Sequence, residues 1–86
     1  MRLPIIKHIH EFVKANDQDY VIEAIAVLEH LTESENIKDE ELDVLGELLS
    51  NMYGALEVRE MVNAGKTEKE ALNEFMKRVV GSIDKG

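Results

Sequence analysis

The stretch DEELDVLGELLSNMYGALEVREMVNA, Asp39 to Ala64, decides the fold. Leu42, Leu45, Leu49, Met52 and Leu56 recur at steps of three and four, which is one stripe of an α-helix. Past Leu56 the same face carries Arg59, Glu60 and Asn63, while Val58, Met61 and Val62 point elsewhere. One helix with two differently facing halves implies two packing partners. Asp39, Glu40 and Glu41 suit the positive end of the helix dipole, and Gly65 is placed to end the helix. At 1.5 Å per residue such a helix is about 39 Å long. A compact domain of this chain length is only about 30 Å across. The helix must therefore break, or project and be covered by a second copy. Gly46 and Gly54 are its weak points, each costing about 1 kcal/mol relative to Ala. A kink near Gly54 fits the change of face, and dimerisation fits equally well.

Shorter helical patterns lie on both sides. Pro4 sits where a first-turn proline is tolerated, and Ile5, Ile6, Ile9, Phe12 and Val13 follow as one stripe ending near Asn16. Asp17 or Asn16 caps a second helix. Its apolar residues, Tyr20 to Leu31, spread over more than half its circumference, which predicts a central helix buried on two sides. Thr67-Glu68-Lys69-Glu70 is a capping box opening a fourth helix, with Ala71, Leu72, Phe75, Met76, Val79 and Val80 inward. Gly81 is expected to end it and Ile83 to pack back. The predicted helices span about 4–16, 17–32, 39–64 and 67–80. The fold class is all-α, a four-helix bundle-like single domain over residues 1–86 with a long third helix.

Composition narrows the function. The chain has 86 residues, 44% of them apolar, one Pro and no Cys. Disulfides and thiolate metal sites are excluded. No apolar run approaches the roughly 20 residues of a membrane span. The interrupted N-terminal pattern is unlike a signal peptide, so a cytoplasmic protein with no membrane partner is expected. The net charge of −8 is uneven: residues 17–47 hold eleven acids against Lys38 alone, while residues 1–16 are net positive. So acidic a middle repels phosphate backbones, and no nucleic-acid partner is expected. It is a solvated face, or one that docks a basic protein.

Several constellations invite sharper readings. Gly46, Ser50 and Gly54 are small residues at spacing four, which lets two helix backbones approach closely. With Met61 and Val62 they make the expected dimer interface. His8 with Glu11, and His30 with Glu33, share helix faces and are the candidate metal ligands. Carboxylate-bridged bundles use the opposite order, Glu-x-x-His, and His30 projects from a polar side, so surface histidines are the better reading. Of the histidines, only His8 edges an apolar face, beside Phe12. Glu29 at the margin of the second helix could pair with Arg59, although a simply exposed Arg59 is preferred. No serine or threonine lies in a strained turn beside a histidine, and phosphate loops are missing. No catalytic residues and no cofactor are assigned.

An acidic four-helix chain of this size looks superficially like an acyl carrier protein. That family carries its prosthetic group on the Ser of Asp-Ser-Leu, and no Asp-Ser occurs here. Nuclease-neutralising immunity proteins share the size and charge but not their tyrosine-rich third helix, which Asn51-Met52-Tyr53-Gly54 does not match. Lys38 to Leu48, Asn51 to Glu57 and Phe75-Met76-Lys77-Arg78-Val79 together resemble a small family of bacterial all-helical cytoplasmic proteins with no assigned activity. That resemblance implies a helical protein and transfers no site residues.

The expectation is a non-catalytic interaction or assembly module. It would be homodimeric through the third helix, with the acidic stretch 17–47 steering a basic partner. A metal-binding bundle and an acidic, antitoxin-like inhibitor of a basic enzyme are the alternatives.

Overall fold

Local signals place the helix ends. Asn16 closes the first helix by donating its side-chain and backbone N–H groups to the Phe12 carbonyl, at 3.1 and 3.0 Å. Asp17, in extended backbone, then accepts from the Asp19 N–H and opens the second. Thr67 and Glu70 form the expected reciprocal cap, Glu70 N–H to Thr67 Oγ1 at 3.1 Å and Thr67 N–H to Glu70 Oε1 at 3.0 Å. The resulting helices are α1 Leu3–Ala15, α2 Gln18–Leu31, α3 Asp39–Asn63 and α4 Glu68–Lys85. This computed structural model describes the backbone of residues 2–85 and the side chains of residues 2–79.

The first three helices lie close to their expected bounds. The fourth does not stop at Gly81 but continues to Lys85. A glycine ends a helix by entering left-handed backbone. Among the described residues only Gly65 does so, at φ 114°. Val80 and Ile83 lie outside the residues whose side chains are described.

The central element is α3, packed against all three other helices, and not α2 as its wide apolar face predicts. On one side, Ile6, Ala55, Val58, Ala71, Leu72 and Phe75 form a core between α1, α3 and α4. On the other, Val13, Val21 and Ile25 pack against Ile9, Leu49, Met52 and Leu56, joining α1, α2 and α3. Only Val21 and Ile25 of α2 are buried. Much of its apolar surface, Tyr20, Ile22, Val27 and Leu31, faces outward, since among the described residues no helix covers that side.

Helix α3 is continuous through Gly54, so it does not break there. Its buried face is Asn51, Gly54, Ala55 and Val58, small or polar residues rather than the leucine stripe. A Cβ on Gly54 would lie 3.0 Å from Phe75 Cζ and 3.1 Å from Ile6 Cδ1. The missing side chain is what lets α4 and α1 approach α3 there. The change of face that suggested a break is one unbroken helix packing on α2 on one side and on α1 and α4 on others.

The molecule is a slab of 42 × 35 × 17 Å with a radius of gyration of 13.9 Å. A compact chain of this length would have about 12 Å. The 42 Å dimension is long enough to hold α3, whose 25 residues span about 37 Å at 1.5 Å per residue, and α1 covers only part of that length. Arg2 marks where α1 begins: its N–H donates to Asn51 Oδ1 at 2.9 Å and its Nε lies 3.4 Å from Glu47. The three turns of α3 before Asn51 extend past that point.

Candidate interaction surface

That extension carries the most distinctive surface of the molecule. Helical phase puts Val44 and Leu48 on the same face as Asn51, Ala55 and Val58. The last three are buried under α1 and α4, whereas Val44 is 58% exposed and Leu48 is 39% exposed. The face continues; among the described side chains its cover stops. Beside it, α2 leaves Leu31 exposed, and further back along the same helix Val27 and Tyr20 are exposed, Val27 by 61%. Tyr20 packs edge-on against exposed Phe12, ring centroids 5.9 Å apart. Between the end of α2 and the start of α3 lies an open groove of about 420 Å³ lined by Leu31, Ile37, Val44 and Leu45. Glu40 and Glu41 form its rim.

The connection that shapes this groove is held locally. Thr32 Oγ1 donates to the Glu29 carbonyl at 2.6 Å, and the Asn36 N–H donates to Ser34 Oγ at 3.2 Å. The Lys38 N–H donates to Glu41 Oε1 at 3.0 Å. That is half a capping box, since a lysine side chain has no acceptor to return. These bonds turn Ile37 back toward the groove, where it is half-buried.

The expected interface residues are dispersed by the fold. Gly54 is inside the core, and Met61 and Val62 pack on that same core, so these three are not a free surface. Their small or apolar character answers to the chain's own helices. Ser50 is half-buried, and Gly46 has nothing within 4 Å of a would-be Cβ. Only Gly46 and Ser50 of the five lie near the extension.

The histidines also change places. His8 is exposed, 3.8 Å from Glu11, and His30 is exposed on another helix. The expectation that only His8 edges an apolar face is overturned: His10 is the fully buried one. Its Nδ1 lies 3.1 Å from Glu68 Oε2, which also takes Lys14 Nζ at 2.8 Å. Its Nε2 is buried with no hydrogen-bond partner among the described residues. The neutral tautomer with its proton on Nδ1 suits this setting, because the acceptor is a carboxylate. Burial lowers the His10 pKa below 6.5 against the opposing pull of Glu68, while Lys14 and Arg59 add to the lowering. Among the described residues no three His, Asp or Glu side chains converge as metal ligands. Glu29 and Arg59 do not pair: Glu29 accepts from the Tyr53 hydroxyl, and half-buried Arg59 lies toward Lys14 and Asn16. The signal for His10 was in the spacing: Ile6, His10 and Val13 stand at i, i+4 and i+7 and share the buried face of α1, but a histidine is not counted in an apolar stripe.

Fold and surface together define a small all-α domain with an uncovered apolar face and an acidic rim. The chain belongs to a family of unknown function (DUF6952), whose model matches residues 1–84. No curated protein and no solved structure matches it. Among the described residues no helix is long and apolar enough to cross a membrane.

Proposed function

We propose that this chain is a non-catalytic interaction and assembly module that forms a homodimer through the uncovered start of its third helix. The observation carrying this reading is the apolar face left open at the start of α3, where Val44 is 58% exposed and Leu48 is 39% exposed beside the groove of Leu31 and Ile37. A cytoplasmic location, consistent with a cysteine-free chain, belongs to the same proposal.

The test is solution mass across a concentration range for wild type and Val44→Asp. A wild-type dimer reduced to a folded monomer by the substitution supports the reading. A wild-type monomer at every concentration sinks it.

The acidic rim favours a second reading, an antagonist of a basic protein. Glu40 and Glu41 beside apolar Leu31 and Val44 suit a segment presenting lysines around an apolar stripe.

A further inference from the structure

We infer that two copies pack antiparallel, each laying its α2–α3 extension into the other's notch, with the acidic start of α3 meeting the basic start of the partner's α1. This inference rests on the homodimer proposed above and specifies its register.

The notch follows from where α1 begins. Residues 39–50 of α3 precede the Arg2–Asn51 contact, a length of about 18 Å at 1.5 Å per residue. Over that length α3 is flanked by α2, while its Val44–Leu48 face has no α1 above it. A twofold axis crossing α3 between Val44 and Leu48 places one extension against the other. The two α2–α3 pairs then form a four-helix layer that buries Val44, Leu48, Leu31 and Ile37 from both sides. Such an isologous contact is closed, so it ends at a dimer.

Charge selects this register over its competitors. With the axis there, Glu40 and Glu41 at the start of α3 reach the level of the partner's Asn51, where α1 starts. Arg2 is exposed at that point, with its Nε also 3.4 Å from Glu47 of its own chain, and Lys7 is exposed further along α1, in a segment that is net positive. Residues 17–47 are strongly acidic, so a parallel arrangement would set acidic tip against acidic tip. The antiparallel one sets acid against base at both ends and apolar face against apolar face between them.

The chain has no cysteine, so single cysteines report the register directly. Arg2→Cys and Glu41→Cys variants are prepared separately, mixed, re-equilibrated and treated with a short bis-maleimide. Both positions are exposed, the mixed dimer keeps one intact Arg2–Glu41 end, and far-ultraviolet dichroism checks that each variant folds without the Glu41 cap or the Arg2 ion pair. The expected result is a covalent dimer from the mixture and little from either variant alone. The wild-type dimer should also weaken about tenfold in molar salt, as screened pairs require. Cross-linking of Glu41→Cys alone would mean that the tips meet, and overturns the register. A dimer by mass with no cross-link in the mixture overturns it too, while leaving the homodimer standing. A wild-type monomer, or mass shared only with an added basic partner, removes the homodimer itself.

Discussion

Gly46 and Gly54 stand in one helix, eight residues apart in the chain, and call for opposite outcomes. At Gly46 a Cβ meets nothing within 4 Å, so Gly46→Ala should stabilise by about 0.5–1 kcal/mol through helix propensity alone. At Gly54 the same gain is set against Phe75 and Ile6 at 3.0 and 3.1 Å, and overpacking costs about 1–3 kcal/mol. Gly54→Ala should therefore give no gain, and Gly54→Leu should lose about 3 kcal/mol or more. Urea unfolding of the three variants checks this; equal gains at both glycines would contradict the packing. His10 sets a pH dependence. Its pKa is lowered in the folded chain, so below about pH 6.5 the unfolded chain binds more protons. The stability it contributes is present above that pH and is lost as pH falls toward the folded pKa. Glu68 acts in a lower window. Its pKa is lowered chiefly by Lys14, so its contribution is lost as pH falls from 4.5 through the folded value. Replacing His10 by Leu should flatten the slope of stability between about pH 7 and pH 5. An unchanged slope would place the titration elsewhere.

At the scale of elements, the caps and the glycine stop were legible because each rests on a few adjacent residues. Thr67 and Glu70 bond as their spacing requires, and Gly65 takes its left-handed conformation. Thr67→Ala should cost about 1 kcal/mol, seen as a lower urea midpoint with unchanged slope. The faces of α3 were less legible. Periodicity picks out leucines, yet Leu42 is exposed, while Asn51 and Gly54 are buried. Asn51 is inside because both ends of its amide are used, Nδ2 to the Glu47 carbonyl and Oδ1 by the Arg2 N–H. The first partner is local, four residues back, but the second is 49 residues away and is not visible in a one-dimensional pattern. The same holds for α2: its width of apolar face was read correctly, but width reports what a helix could bury and not what the chain has available to cover it.

For the whole molecule, the expected length conflict was real and was resolved without a break. A flat shape of 42 × 35 × 17 Å accommodates an unbroken α3, at the expense of apolar surface on the extension. If a second copy covers that surface, the melting temperature should rise with protein concentration, since only the folded state associates. Leu48→Glu should abolish that dependence while leaving a cooperative transition, because Leu48 is outside both cores. A concentration-independent melting temperature in wild type would remove the dimer from the account.

Sequence alone determined that the chain is helical, how many helices it has, nearly where three of them begin and end, and that its charge is concentrated in one stretch. These follow from interactions within a few residues or from simple composition. Tertiary structure decided which helix is central, that Gly54 and Met61 serve the chain's own core, that His10 is buried beside Glu68, and that the start of α3 is left bare. Those outcomes depend on which helices reach which, and on where α1 begins along α3. That register is set by residues far apart in the chain, such as Arg2 and Asn51, whose pairing has no local signature.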